Sequence, residues 1–254
     1  MITGVTLSLR RDAEARALSV FAAPSTAAGL EFQRQVIQSG WAPPVMRQYD
    51  ERESGRLHAD ARDCTVLMVH EGPAGLVAAE KAAVDSLSAA AGLASLPSSV
   101  AEHWLEHRNH VVAWDTILSR NIVADTVEIS ATWDRIGGIY EAAVAGLKAI
   151  EGCLAASAHS SHVYRSGVNL YFTFAIGLPE PERMEAAYFA AWDAIMTATA
   201  EGGGGVAHHH GIGRVRRDWL QADLGPEGVA LLRRLKAAID PAGVMNPGVL
   251  IPDA

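Results

Sequence analysis

Cysteine is scarce: the 254 residues contain two, Cys64 and Cys153, with no Cys-x-x-Cys spacing. Each lies in apolar, strand-like sequence, so both are read as buried reduced thiols rather than a disulfide or a zinc site. No apolar run approaches the roughly 20 residues that span a bilayer. Arg10-Arg11 belong to no signal-peptide pattern, and a cytoplasmic location is expected. Basic residues are also few, with 21 Lys and Arg against 29 Asp and Glu and a net charge of −8. Without a Lys/Arg stripe to neutralise phosphates, nucleic acid is excluded as the main partner. What is present is a 49% hydrophobic composition, enough to bury a sizeable core in one large domain or two closely packed units.

Taken in order, residues 2–9 alternate apolar and polar as a half-buried strand does, and residues 16–22 read as a second strand. Pro24-Ser25 opens a helix that Gly40 closes, with Ala28, Phe32, Val36 and Ile37 as its apolar stripe. Val45–Tyr49 is a strand, and the acidic run Asp50-Glu51-Arg52-Glu53 is expected to be a short exposed turn. Residues 64–71, apolar almost throughout, predict a central strand, and the alanine-rich stretch 74–91 a helix. The same order recurs: a strand at 125–130, a helix from Thr132-Trp133 to about Glu151, strands within 153–164 and at 170–176, and a helix over 181–200. A short strand at Gly205–Ala207 would complete the second unit. The fold class is therefore α+β, with duplicated ferredoxin-like units forming an antiparallel sheet that carries helices on one face, plus C-terminal helices. The other face is free to cover something.

Chemistry concentrates in Gly202-Gly203-Gly204-Gly205-Val206-Ala207-His208-His209-His210-Gly211-Ile212-Gly213-Arg214. In an extended segment His208 and His210 would share a side while His209 points away. Such a pair lacks two zinc ligands, so no metal is expected. The glycines allow close approach of backbone to a ligand, and helix N-terminal amides at Gly213–Val215 would favour an anion beside imidazole acid/base groups. In Leu170–Phe174 the alternation sets Tyr171 and Thr173 opposite Leu170, Phe172 and Phe174. His162 and Tyr164 share a face just before it, either as proton-transfer groups or as ordinary cross-strand pairs. His103, His107 and His110 share one helical face, which reads as solvated because no carboxylate or cysteine completes a metal set.

The block His208–Arg214, with Trp219-Leu220, Leu224-Gly225-Pro226-Glu227-Gly228, Asp240-Pro241 and Asn246-Pro247-Gly248, resembles the C-terminal domain of FAD-linked oxidases of the vanillyl-alcohol oxidase type. Together with Leu170–Phe174 it is most similar to the alkyldihydroxyacetonephosphate synthases. The likeness extends upstream through Asp125–Ser130, Trp133 and Arg47-Gln48-Tyr49-Asp50. It implies an FAD cofactor held mainly by an N-terminal domain outside this sequence, in cis or in trans. Residues 1–10 would be the end of that FAD-binding domain, and residues 11–254 the substrate-covering cap domain.

The resemblance also implies the exchange of an acyl for an alkyl chain on a ketone phosphate in ether-lipid synthesis. Tyr171 would be the acid/base phenol, with His208, His209 and His210 assisting proton transfer. Arg47, His159 and His162 would contact substrate, and His209, His210, Gly211 and Asn246 would contact the cofactor. A substrate-binding arginine expected ahead of the tyrosine strand is replaced by the region of His159 and His162. A lipid-like substrate is compatible with peripheral membrane contact, and a homo-oligomer is expected. Two alternatives stay open: an FAD-linked oxidase or dehydrogenase of a 2-hydroxy acid or alcohol, and a non-catalytic binding module without its flavin domain.

Overall fold

The structure, a computed structural model, describes all residues except 1, 2, 10, 59, 60, 62, 111–116, 118, 253 and 254. Strand β1 (Ala15–Ala23), helix α1 (Thr26–Gln38), β2 (Val45–Tyr49), α2 (Glu51–Leu57), β3 (Cys64–Gly72), α3 (Ala74–Ala90) and β4 (Ala94–Ser95) make the first unit. Helix α4 (Ser99–His107) leads to the second unit. That unit comprises β5 (Ile122–Thr132), α5 (Ile136–Lys148), β6 (Cys153–Ser160), β7 (Gly167–Gly177) and α6 (Met184–Glu201), and α7 (Leu220–Ile239) follows. Local chemistry accounts for several boundaries. Ser25 caps α1 by accepting from the Ala28 N–H, while α7 is broken at Gly225, whose φ of 67° precedes Pro226.

The strands form one antiparallel sheet in the order β4-β1-β3-β2-β6-β7-β5. Each half has the ferredoxin-like order, and the halves join where β2 pairs with β6 through Gln48↔Ser160 and Tyr49↔His159. Period-two alternation then decides what each face carries. On one face Phe21, Met46, Val66 and Met68 pack against Phe32 and Val36 of α1 and Val84 of α3. Val127, Ile129, Leu170, Phe172 and Phe174 pack against Ile136, Ile139 and Leu147 of α5 and Ala191, Trp192 and Ile195 of α6. The opposite face is apolar only in the first unit, where Val20, Leu67 and Tyr49 meet Ala101 and Trp104 of α4. Across the second unit that face is polar, and among the described residues Glu53 of α2 and the loop carrying His208 and His209 reach over it. Both cysteines are free thiols, with Cys64 buried and Cys153 partly so.

Three sequence expectations are corrected. Residues 3–9 lie exposed outside the sheet rather than in a strand, because among the described residues no strand pairs with them; residues 2 and 10 fall outside the described residues. Asp50–Glu53 is not an exposed turn. Asp50 is the N-cap of α2, accepting from the Glu53 N–H at 2.9 Å, and both carboxylates are buried because they bond across the β2–β6 seam. Asp50 Oδ2 accepts from the Ala158 N–H and the Tyr140 hydroxyl, and the Glu53 carboxylate meets Ser157 and His159. Finally, Gly205–Ala207 contributes one isolated bridge, Gly205 to Ser130, and no regular strand.

Gly167 starts β7 where the chain presses on β5. A Cβ there would lie 2.0 Å from the Ala131 carbonyl oxygen and 2.8 Å from its carbon, both backbone atoms. Gly167→Ala is expected to destabilise the fold by about 3 kcal/mol, since the β5–β7 ladder must open to admit it. Chemical denaturation with an unchanged m-value checks this.

Candidate active site on the open face of the sheet

Glu128 is the centre of the polar face. It projects from β5 opposite Val127 and Ile129 and is fully buried, and its carboxylate collects donors from β7 and from the His208–His209 loop. Asn169 Nδ2 on β7 donates to Oε1 at 2.8 Å, and the His209 backbone N–H donates to Oε2 at 3.2 Å. His208 Nδ1 lies 3.0 Å and His209 Nδ1 2.7 Å from Oε1. Burial pushes the Glu128 carboxyl upward, but the hydrogen bonds from Asn169, the His209 amide and His208 outweigh it and hold the group below the ordinary glutamate value. Glu128 is thus an anion at neutral pH.

On the other side of His208, Nε2 lies 2.8 Å from the Tyr164 hydroxyl, giving a phenol–imidazole–carboxylate relay. His162 stands 5.1 Å from the His208 ring and 4.8 Å from the His209 ring. Its backbone N–H, like that of Ser161, is fixed by Asn169 Oδ1. Burial, then the neighbouring His209 and His208, lower the His162 basicity, and burial likewise lowers that of His210. Both rings are therefore neutral at pH 7.

Tyr171 forms a second group one register step along β7. Its hydroxyl accepts from Thr126 Oγ1 at 3.1 Å, which leaves its own proton free to transfer. His159 stacks on the phenol at 5.0 Å, and the His210 ring meets it edge-on at 5.2 Å. His159 is held by Glu53 through Nδ1 at 2.7 Å. Tyr171, His159 and His210, chosen from distant parts of the chain, are brought together, as are His162, His208 and His209.

Arg47 lies on the same face but apart from these groups, its guanidinium 5.3 Å from Trp104 and its Nε donating to the Tyr49 hydroxyl at 2.9 Å. Gly211 lies in the exposed loop, and Asn246, with φ of 45°, in a C-terminal turn tied back by Leu250 N–H to Gly213 O. His103 and His107 are exposed with rings 4.1 Å apart, a solvated face as expected, and with His110 they help line a cavity of about 390 Å³ beside Tyr49, Glu53 and Thr173.

The triplet departs from its expected geometry. His208 and His209 turn to one carboxylate while His210 turns to Tyr171, because the chain after Gly205 is bent rather than extended. No helix begins at Gly213–Val215; Gly211 and Gly213 have positive φ, and α7 starts at Leu220 after a short 3-10 turn. The upstream glycines serve the fold rather than a ligand. A Cβ on Gly204 would lie 2.8 Å from Ile139 and one on Gly205 2.9 Å from Ser130. Buried Arg216 then pins the loop, with Nη1 donating to Gly211 O, Nη2 to Glu128 O, and its guanidinium 5.0 Å from the Trp192 ring.

Glu128, Asn169, Thr126 and Glu53 escape the sequence reading. The only signal for Glu128 and Thr126 is the alternation of Asp125–Ser130, which sets them on the face away from the core, where a charged residue ordinarily meets water.

Residues 12–250 match the family model described as FAD linked oxidases, C-terminal domain. The chain belongs to that family. It is 28% identical over 240 residues to the uncharacterized FAD-linked oxidoreductase YgcU of Escherichia coli strain K12, covering 88% of this chain and 49% of that protein. It is 32% identical over 198 residues to the alkyldihydroxyacetonephosphate synthase of Dictyostelium discoideum, covering 74% of this chain and 32% of that protein. The chain thus spans half the length, or less, of these relatives.

Among solved structures the fold is shared with an alkyldihydroxyacetonephosphate synthase (TM-score 0.66, 20% identity, 94% of this chain and 45% of that one). It is also shared with the 4-ethylphenol oxidase of Gulosibacter chungangensis (TM-score 0.69, 11% identity, 94% of this chain and 54% of that one). Members of the family are FAD-linked. His209 and His210 are exposed, and the Gly211 backbone faces open space where a Cβ would lie. Among the described residues, no helix is long and apolar enough to cross a membrane.

Proposed function

We propose that this chain is the substrate-covering part of an FAD-dependent enzyme that exchanges an acyl for an alkyl chain on a ketone phosphate. The observation that carries the reading is the pairing of Tyr171 with neutral His210 and Glu53-held His159 on the polar face of the second unit. The named likeness to alkyldihydroxyacetonephosphate synthases supports it. The flavin, held mainly by a separate FAD-binding domain in cis or in trans, supplies the electrophilic and electron-storing ring. This chain supplies proton transfer and exclusion of water. Tyr171, whose hydroxyl already accepts from Thr126, exchanges a proton with the carbon next to the ketone. The acyl group leaves with its oxygen as a carboxylate as its bond to that carbon breaks, and the entering alcohol, whose oxygen takes that place, loses its proton to the neutral His210 ring, the base placed to take it. His209 and His210 meet the ring edge, and Gly211 and Asn246 line the loop and turn beside it.

A second reading, oxidation of a 2-hydroxy acid or alcohol, is favoured by the oxidoreductase relative. There, neutral His210 takes the hydroxyl proton as hydride leaves the substrate. Anaerobic mixing of the flavin-loaded, two-domain enzyme with candidate substrates separates the two. Alcohol-for-acyl exchange with no lasting loss of flavin absorbance is expected; stable two-electron bleaching by a hydroxy acid contradicts the exchange reading.

A further inference from the structure

The cavity of about 390 Å³ beside Tyr49 and Thr173 lies between α2 and α4 and over the polar face of the sheet. Volumes of this order hold a small ligand or one end of a larger one. Two of its wall residues also belong to the surroundings of Tyr171. Thr173 is two residues further along the same face of β7, a step of about 7 Å. Glu53 holds the His159 ring that stacks on the phenol. The cavity therefore extends the acid/base cluster rather than standing apart from it.

Its outer wall is cationic. Arg56 of α2, Arg108 at the end of α4, and the imidazoles of His103, His107 and His110 line it. Arg47 adds a further guanidinium 5.3 Å from the Trp104 ring, which Arg108 also approaches at 5.5 Å. Among the described residues no carboxylate pairs with Arg47, Arg56 or Arg108. Glu53 meets Ser157 with one oxygen and His159 with the other, and Glu106 comes no nearer to His107 than 3.9 Å. In a chain of net charge −8, arginines gathered without acidic partners run against the composition. Arg56 lies in the last turn of α2 and Arg108 at the C-cap of α4, so the carbonyl ends of both helices steady these cations in place of carboxylates. Both side chains stay exposed, where an anion can reach them.

We propose that this cavity binds the phosphate group of the substrate, with Arg56 and Arg108 as its principal contacts and His103 and His107 as further donors. Two guanidiniums on one wall match the oxygens of a phosphate dianion, since each can donate a pair of parallel hydrogen bonds. The choice of a phosphate rests on the exchange reading above, in which the substrate is a ketone phosphate. The spacing agrees with it. In an extended ketone phosphate the carbon next to the ketone and the phosphorus stand about 5 Å apart, comparable with the step from Tyr171 to the cavity wall at Thr173. The acyl chain does not belong here, because it would strip water from the arginines and imidazoles without replacing their hydrogen bonds.

The test is calorimetric titration of the flavin-loaded, two-domain enzyme, whose own pyrophosphate site FAD already fills, with dihydroxyacetone phosphate and with unphosphorylated dihydroxyacetone. No alcohol is added, so no turnover intervenes. The phosphate ester is expected to bind about 100-fold more tightly than dihydroxyacetone, with inorganic phosphate competing against it. Arg56→Gln and Arg108→Gln should each weaken ester binding by about 10-fold and together by about 100-fold, leaving dihydroxyacetone unaffected. Both positions are exposed, so the fold tolerates the changes. Arg34→Gln, which removes an exposed charge from α1, should bind the ester as the parent does. Tyr171→Phe should also keep parental affinity, which separates the two claims: the phenol can prove dispensable with the cavity intact, and the cavity can fail with the phenol essential. An ester that binds no more tightly than dihydroxyacetone, or that binds the Arg56→Gln/Arg108→Gln enzyme as tightly as the parent, overturns the proposal.

Discussion

Tyr171→Phe is expected to lower turnover of the flavin-loaded enzyme by about 10²- to 10⁴-fold, the contribution typical of a positioned acid or base. The ring stays, so its stacking on His159 and its edge contact with His210 stay with it. Only the hydroxyl that accepts from Thr126 Oγ1 is lost. Thermal stability should change little, because Tyr171 is half-buried and Thr126 can turn to water. Steady-state kinetics beside a melting curve checks both halves. Near-parental turnover would remove the phenol from the mechanism.

Glu128→Ala should cost the fold about 3–5 kcal/mol, since it strips the shared acceptor from Asn169, the His209 amide and two imidazoles at a fully buried position. Glu128→Gln keeps the shape but presents an N–H₂ to groups that donate. It is expected to cost about 1–3 kcal/mol and to release the His208 and His209 rings from their common orientation. Turnover then falls while Tyr171 remains in place. Denaturant melts of the two variants give the stability difference, and histidine resonances of Glu128→Gln report the freed rings. Unchanged His208 and His209 signals would mean that the carboxylate does not organise the triplet.

The fold is legible in the sequence because the long strands alternate or run apolar, Ser25 caps α1, and Gly40 and Gly202 follow the ends of α1 and α6. The doubled β-α-β-β-α order survives even though the units share no evident sequence repeat. Tyr171 is legible too, since Leu170, Phe172 and Phe174 claim the core and leave the phenol to the other face. What stays hidden is whatever depends on register between distant strands. Glu128 reads as a solvated charge until β5 is paired with β7, which sets it opposite Tyr171 and beside Asn169. Asp50 and Glu53 read as a turn because an acidic run ordinarily seeks water. Only the seam between β2 and β6 shows that Ala158, Ser157 and His159 require those carboxylates. The triplet's orientation is hidden for the same reason: local alternation governs an extended chain, while a buried anion reached from another strand governs a bent one.

The central claim is that the open face bearing His209, His210 and Tyr171 meets the flavin. Histidine footprinting with diethylpyrocarbonate, compared between the FAD-loaded two-domain enzyme and the same enzyme stripped of flavin, tests it most directly. Both His209 and His210 are exposed in this chain, and so are His103 and His107. The account predicts that flavin protects His209 and His210 strongly while His103 and His107 keep their reactivity. Equal modification of His209 and His210 with and without flavin would contradict it.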